Sequence, residues 1–131
     1  MRAAADLFFD VVSQIRMTRW SAGRVALVGD AAYAPSFLTG QGTSLALVGA
    51  YVLAGELAAH PDHAEAFSAY ERVMRPYVTL NQALAGDGDT ELFPATDQAL
   101  QQRNAALRTL STLPADRAHA EYSALTLPGY P

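Results

Sequence analysis

A single carboxylate, Asp30, follows a short and continuously apolar run. Residues 24–30 read Arg-Val-Ala-Leu-Val-Gly-Asp, which is typical of a strand covered on both faces in an α/β sheet. Such a strand would place Asp30 at the carboxyl edge of the sheet, where α/β folds bind ligands. Gly29 has no side chain to obstruct a ligand, and a carboxylate accepts hydrogen bonds from sugar or polyol hydroxyls. The pattern predicts a polyol-binding carboxylate, although a turn that Asp30 merely caps fits the same spacing.

A loop of residues 31–42 separates Asp30 from a strongly apolar helix. The loop contains Pro35, Gly40 and Gly42, and a helix is predicted over residues 45–59. The free amides and the positive end of that helix would face the same crevice. An electron-rich ring that gains negative charge would be stabilised there.

Further elements are predicted on either side of this segment. Residues 10–20 alternate as a strand does when one of its faces packs on a core, and residues 21–23 supply a turn. Thr43 and Ser44 are predicted to cap the helix of residues 45–59, which is apolar on nearly every face and is expected to be the most buried element.

The carboxyl-terminal half is predicted to be helical. Pro61 and Asp62 can open a helix with amphipathic spacing, and Pro76 is expected to kink or restart it. Thr96 can cap another helix that runs to about residue 113, and a last helix is predicted to open at residues 114–116. The tail, residues 127–131, is expected to be irregular and mobile.

Composition excludes several classes of protein. Of the 131 residues, 50% are hydrophobic and 17% are charged, which is globular composition. The net charge of −4 leaves no basic footprint for nucleic acid, and the apolar stretch of residues 45–55 is shorter than the roughly 20 residues of a membrane span. Cysteine is absent, as suits a reducing compartment. We therefore expect a cytoplasmic protein without nucleic-acid or membrane partners.

No metal site is expected. The histidines at positions 60, 63 and 119 show no metal-ligand spacing. Asp87 and Asp89 flank a glycine but lack the remaining ligands of a calcium loop, so this segment is predicted to be a solvated turn.

The segment around Asp30 resembles the second FAD-binding motif of the para-hydroxybenzoate-hydroxylase-like FAD-dependent monooxygenases. That motif is a strand ending in Gly-Asp-Ala-Ala, then a proline, then a Gly-x-Gly loop that runs into a helix. Here it reads Gly29-Asp30-Ala31-Ala32, Pro35 and Gly40-Gln41-Gly42. The resemblance covers about residues 16–77, because residues 66–76 also suit the next helix of that family.

The resemblance implies roles for individual residues. Asp30 would contact the ribityl chain of FAD, and Pro35 would lie beside the isoalloxazine ring. The backbone amides of Gly42 and Thr43 would face the pyrimidine edge of the flavin. The candidate cofactor-binding residues are Gly29, Asp30, Pro35, Gly40, Gly42 and Thr43. The chemistry with oxygen would belong to the flavin, so no catalytic residue is expected in this chain.

The sequence departs from the family pattern in two places. Many relatives carry histidine where this chain has Tyr33. The amino-terminal Gly-x-Gly-x-x-Gly turn that holds the pyrophosphate is missing, and Gly40-Gln41-Gly42 cannot replace it because Leu45 occupies the third glycine position and no βαβ unit surrounds it.

The resemblance implies an α+β, predominantly helical chain with three parts. Residues 1–20 would end a substrate-domain sheet, residues 21–85 would form the carboxyl-terminal part of a Rossmann-like FAD domain, and residues 86–131 would be a helical region. The complete enzyme would reduce FAD with NADPH or NADH and hydroxylate an aromatic or polyketide-like substrate. The isolated chain is expected to be inactive and to need a missing amino-terminal portion, a second chain or a second copy of itself, because its strand edge would lie open.

Two other interpretations remain open at this stage. A truncated, stand-alone remnant would serve as a small helical interaction or structural protein. Another FAD enzyme of the same superfamily, such as a halogenase or a reductase, would share the motif.

Overall fold

The computed structural model describes residue 6 and residues 11–86, 93–109 and 120–130. This part of the chain is mostly helical and carries one two-stranded sheet, as a predominantly helical FAD-domain fragment would. The division into three domains stays a prediction. The elements in chain order are β1 (Ser21–Ala22), β2 (Val25–Ala26), α1 (Asp30–Tyr33), a 3₁₀ turn (Phe37–Thr39), α2 (Gly42–Ala59), α3 (His63–Ala83), α4 (Asp97–Thr109) and a second 3₁₀ turn (Ala120–Ser123).

The helix α3 begins where the sequence predicts. The Asp62 side chain caps it by accepting a hydrogen bond from the Ala64 amide at 3.1 Å. The helix continues through Pro76 to Ala83, so of the predicted kink or restart at Pro76 the restart is wrong and the kink stays a prediction. Met74 and Val78, on either side of the proline, are both buried in the same core, and this shared packing holds the two halves of the helix together.

The core lies between α2, α3 and the short helix α1. The Trp20 ring lies 4.7 Å from the Tyr33 ring and 5.7 Å from the Tyr70 ring. Burial raises the pKa of the Tyr70 hydroxyl well above its usual value, so this group stays protonated. It lies 3.1 Å from the carbonyl oxygen of Leu27 and 3.0 Å from the Tyr33 hydroxyl, and the buried polar groups satisfy one another. The buried residues of this cluster are Trp20, Ala32, Tyr33, Leu45, Val52, Tyr70, Met74, Tyr77 and Val78.

The strand predicted over residues 10–20 is wrong for residues 11–20, which the structure describes. They are irregular, and the Ile15 amide donates to the Ala34 carbonyl at 3.0 Å. Ile15 is 41% exposed and Met17 40%, so the predicted inward face is only half covered. A strand needs a neighbour to pair with, and no strand lies alongside within the described ranges.

The buried strand predicted over residues 24–30 is wrong as well. The chain forms only β2, which pairs antiparallel with β1 in a hairpin. Val25 is 62% exposed and Val28 is 37% exposed, so the run is not covered on both faces. Coverage of both faces requires layers on each side of a sheet, and the described residues supply a layer on one side only.

The helix α2 is not buried on every face, contrary to the prediction. Leu47 is 68% exposed, Tyr51 45% and Leu57 44%, and α3 has the larger set of buried residues. By length and composition alone α2 could cross a membrane, with 28% of it buried, but the core helix of a soluble protein meets the same criteria. It begins at Gly42 without a side-chain cap, so the predicted cap at residues 43–44 is also wrong.

The helix α4 starts as predicted but does not join the core. The Ala99 amide donates to the Thr96 hydroxyl at 3.1 Å, which confirms the predicted cap. Leu100 is 37% exposed and Leu107 is 56% exposed, so the large apolar residues of this helix are not covered by the described part of the chain. The predicted extension to residue 113, the helix from residue 114 and the turn at residues 87–89 lie outside the described residues.

The tail is irregular, as predicted, but its described part packs on α2. The Tyr51 hydroxyl donates to the Pro128 carbonyl at 2.9 Å. The Tyr130 hydroxyl donates to the Glu56 carboxylate at 2.7 Å, and the Tyr130 ring fills the space that a side chain on Gly55 would take. The expected mobility of this segment does not fit these contacts.

Gly49 provides a first test of the core. A Cβ atom there would overlap the Tyr33 hydroxyl oxygen and would lie 3.3 Å from Cγ2 of Val28. We expect Gly49→Ala to destabilise the chain by about 1–3 kcal/mol through overpacking, and Tyr33→Phe to relieve part of this cost by removing the overlapping oxygen. Urea unfolding of both single variants and the double variant measures the coupling. Strictly additive losses would contradict the proposed contact.

Candidate functional site

Asp30 lies at the first residue of α1, immediately after a sharp change in backbone direction. Gly29 has a φ of 68°, a conformation that favours glycine. A Cβ atom on Gly29 would also lie only 3.2 Å from Cβ of Ala46 in α2. Gly29 therefore lets the chain turn closely against α2, and Asp30 follows on an exposed position.

The Asp30 carboxylate lies beside the start of α2. Its Oδ1 atom is 3.7 Å from the place that a Cβ atom on Gly42 would take. This confirms the predicted proximity of Asp30 to that helix, although Asp30 begins a helical turn and does not end a strand. Because Gly42 has no side chain, the space beside the carboxylate stays open.

The Asp30 carboxylate is also free of hydrogen bonds from the described part of the chain, where no donor reaches it. The alternative in which Asp30 merely caps a turn predicts such a bond. An exposed carboxylate with empty acceptor positions is suited to accept hydrogen bonds from a ligand.

The amino end of α2 lies beside the same carboxylate, and the described residues supply no acceptor for the first amides of this helix. The first main-chain bond of the helix runs from the Leu45 amide to the Gln41 carbonyl at 2.9 Å. The amides of Gly42, Thr43 and Ser44 precede that bond and belong to the first turn, where helical donors have no partner within the helix. The arrangement thus combines a carboxylate acceptor with helix-end donors and a positive dipole end.

The loop before α2 has an unusual backbone that its own hydrogen bonds support. Ser36 has a φ of 78°, which is uncommon for a residue with a side chain. Its carbonyl accepts from the Thr39 hydroxyl at 3.0 Å, and that hydroxyl accepts from the Gln41 amide at 3.1 Å. Gly40 closes the 3₁₀ turn with a φ of 64°.

The other predicted site residues lie in this loop and at the start of α2, and the structure shows no contact between them and Asp30. Pro35 is buried, whereas Gly40 and Thr43 are exposed. The structure therefore brings Asp30 and Gly42 together, with Gly29 making the turn possible. The roles of all six residues in cofactor binding stay predictions.

Two glutamines that hold this loop were not predicted from the sequence. Gln14 Nε2 donates to the Pro35 carbonyl at 2.8 Å, and Gln82 Nε2 lies 3.4 Å from the carbonyls of Tyr33 and Ala34. Gln82 is only 6% exposed. The sequence does carry a signal for Gln82. Residue 82 follows Met74 and Val78 at the same four-residue spacing and so lies on the buried face of α3, where a polar residue is unexpected.

Among the described residues, no group of three or more His, Asp or Glu side chains lies close enough to hold a metal ion. The donors and acceptors of the site are thus a carboxylate and main-chain amides.

Comparison with known proteins places this chain among flavoproteins. The family model described as "FAD binding domain" matches residues 10–88. A flavin-dependent monooxygenase from an unknown prokaryotic organism is 50% identical over 108 residues, which are 79% of this chain and 28% of that protein. The FAD-dependent monooxygenase asL6 of Sarocladium schorii is 51% identical over 89 residues, which are 67% of this chain and 21% of that protein.

A solved structure agrees with the sequence matches. The crystal structure of the tetracycline destructase Tet(55) matches with a TM-score of 0.70 and 41% identity, and the match covers 98% of this chain and 33% of that one. The chain therefore spans only 21–28% of the curated relatives and a third of this structural neighbour. This chain belongs to the FAD binding domain family and corresponds to a part of the longer flavin-dependent monooxygenases that it matches.

Proposed function

We propose that this chain forms the ribityl and flavin end of an FAD site in a flavoprotein monooxygenase. The observation that carries the proposal is the exposed Asp30 carboxylate, which has no hydrogen-bond donor among the described residues and lies beside the open position of Gly42 at the start of α2. The match of the FAD binding domain over residues 10–88 supports it.

The residues present fit one end of FAD. Asp30 can accept hydrogen bonds from the ribityl hydroxyls, and Gly42 leaves room for a polyol beside it. The amides of Gly42 and Thr43 and the positive end of α2 can stabilise a ring that becomes negative on reduction. Pro35 is buried in this structure, so its place beside the ring stays a prediction from the resemblance.

The residues present do not fit the other end of FAD. No Gly-x-Gly-x-x-Gly turn followed by a helix occurs in the 131 residues, so the pyrophosphate would be held by another part of the longer protein. When bound, FAD would supply the transfer of electrons from NADPH or NADH to oxygen and of an oxygen atom to the substrate. The residues of this chain would bind and orient the flavin for that chemistry.

The exposed apolar residues support a partner surface. Val25, Val28 and Leu47 are all more than a third exposed, as apolar side chains are where another part of a protein covers them. We assign these exposed residues to a contact with the amino-terminal portion of the longer protein or with a second chain. All three lie in residues 21–85, which we propose as the carboxyl-terminal part of the FAD domain, between the parts at residues 1–20 and 86–131. A homodimer would cover these residues in the same way. The alternative of a stand-alone remnant leaves this surface unexplained.

The proposed substrate is an aromatic or polyketide-like ring compound. The name of the structural neighbour, tetracycline destructase Tet(55), indicates that a polycyclic compound is accepted by a protein that shares this fold. The same class of multi-ring substrate is proposed for the complete enzyme that contains this chain.

Replacement of Asp30 tests the proposal. In the full-length flavoprotein, Asp30→Ala should weaken FAD binding by about 10- to 100-fold, because a hydrogen bond to a charged group contributes about 1.5–3 kcal/mol. Glu65→Ala is the matched control, since Glu65 is an exposed acid in the first turn of α3. The measurement is a fluorescence titration of the apoprotein with FAD. Equal dissociation constants for both variants and the parent would reject the assignment.

A further inference from the structure

The turn from Tyr33 to Pro35 presents three successive carbonyls to two glutamine side chains. Gln82 Nε2 lies 3.4 Å from the Tyr33 carbonyl and 3.4 Å from the Ala34 carbonyl, and Gln14 Nε2 donates to the Pro35 carbonyl at 2.8 Å. The side-chain Nε2 of Gln82 also donates to the Ile15 carbonyl at 2.7 Å. Its two hydrogens are therefore shared between the segment before β1 and the turn before the loop.

The two glutamines are also linked to each other at the end of α3. Gln14 Nε2 donates to the main-chain carbonyl of Gln82 at 2.7 Å, and this carbonyl lies in the last turn of α3. The Gln14 Oε1 atom accepts from Arg16 Nε at 2.9 Å. Because Gln82 is buried, loss of its partners would leave an amide in an apolar environment.

The segment that this pair holds leads directly into the candidate flavin site. Pro35 precedes Ser36, whose φ of 78° is uncommon for a residue with a side chain. A conformation of this kind persists only where the surroundings determine it. The internal bonds of Thr39 support the loop from the α2 side, and the glutamines support it from the α3 side.

We propose that Gln82 and Gln14 are positioning residues that set the loop before α2 for the flavin, without touching the flavin themselves. This inference rests on the proposed function. The pair fixes the carbonyls of residues 33–35, and the Thr39 hydroxyl links the next residue, Ser36, to the Gln41 amide just before Gly42. Through these contacts the pair would set the position of Pro35 and the direction of the amides of Gly42 and Thr43. Since those amides stabilise a reduced, negatively charged ring, the pair raises the affinity for reduced flavin more than the affinity for oxidised flavin.

The test uses Gln82→Met, which keeps the length of the side chain and removes both donor hydrogens. Gln98→Met is the matched control, because Gln98 is an exposed glutamine on α4. Hydrogen exchange of the amides of Leu38, Thr39 and Gln41 reports on the loop without any flavin. In the full-length flavoprotein, the flavin reduction potential reports on the ring environment.

We expect Gln82→Met to speed exchange of the loop amides about tenfold and to weaken binding of reduced flavin about tenfold more than binding of oxidised flavin. The reduction potential would then fall by about 30 mV for a two-electron couple. Gln98→Met should change neither quantity. If Gln82→Met does not fold, Gln14→Met on the half-buried partner should give the same pattern with a smaller amplitude.

Three other outcomes would each contradict a different part of the proposal. Unchanged hydrogen exchange of the loop amides in both Gln82→Met and Gln14→Met would show that the glutamines do not hold the loop. Faster exchange with an unchanged potential, in a protein whose FAD affinity does respond to Asp30→Ala, would show that the loop is held but does not position the flavin. If FAD affinity responds to neither Asp30→Ala nor Gln82→Met, the proposed function itself fails, and this inference fails with it.

Discussion

The 131-residue chain by itself is expected to bind FAD at least about 100-fold more weakly than a full-length flavoprotein that contains it. The candidate site offers partners for the ribityl chain and the ring, but the sequence contains no pyrophosphate-binding turn. A charge-assisted hydrogen bond contributes about 1.5–3 kcal/mol, and the loss of two such bonds corresponds to about a 10²- to 10⁴-fold loss of affinity.

The visible spectrum after gel filtration measures this directly. We expect the purified chain to elute without stoichiometric flavin, and to dimerise or aggregate through Val25, Val28 and Leu47, which are exposed here. The full-length protein, purified in parallel, is the control and should retain its flavin. A yellow, monomeric 131-residue chain with one FAD bound would contradict the proposal that the pyrophosphate is held elsewhere.

Trp20→Ala is expected to cost about 3–5 kcal/mol of unfolding free energy, as for other buried aromatic residues. Trp20 is 2% exposed, and its ring contacts those of Tyr33 and Tyr70 at centroid distances of 4.7 and 5.7 Å. The Arg75 guanidinium lies 4.4 Å above the same ring and would lose that partner. The loss would be a large fraction of the stability of a small domain, which is about 5–15 kcal/mol.

Circular dichroism during urea unfolding should be used for this measurement, because Trp20 is the only tryptophan and its fluorescence is lost in the variant. Leu107→Ala is the control. Leu107 is 56% exposed on α4, which has no buried residues, so its replacement should change the unfolding free energy by less than about 0.5 kcal/mol. A cost below about 1 kcal/mol for Trp20→Ala would show that the aromatic cluster does not support the core.

The start of α3 and the cap of α4 could be predicted from the sequence because they depend on neighbouring residues. Asp62 caps α3 through the amide two positions later, and Thr96 caps α4 through the amide three positions later. The proximity of Asp30 to α2 could also be predicted, because only the short loop that ends at Gly42 connects them. Contacts of this range are set by local backbone geometry.

The predicted strands do not form because an alternating sequence indicates which face of a strand is apolar but does not indicate which part of the protein packs against that face. Residues 11–20 and the run that ends at Asp30 have the composition of strands, but strand pairing requires a neighbour. The described residues provide only the hairpin of β1 and β2. The same reasoning explains α2, whose apolar residues on the outer face have no covering element here.

The sequence by itself determined the family, the carboxylate at Asp30, the glycines that make room beside it, and the helices whose ends depend on local contacts. Only the tertiary structure decided which faces are covered, that the tail docks on Gly55 and Glu56, and that Gln14 and Gln82 hold the loop before α2. The physical reason is separation along the chain. Gln14 and the carbonyl of Gln82 are 68 positions apart, so this contact depends on the tertiary packing that brings both residues to the same turn.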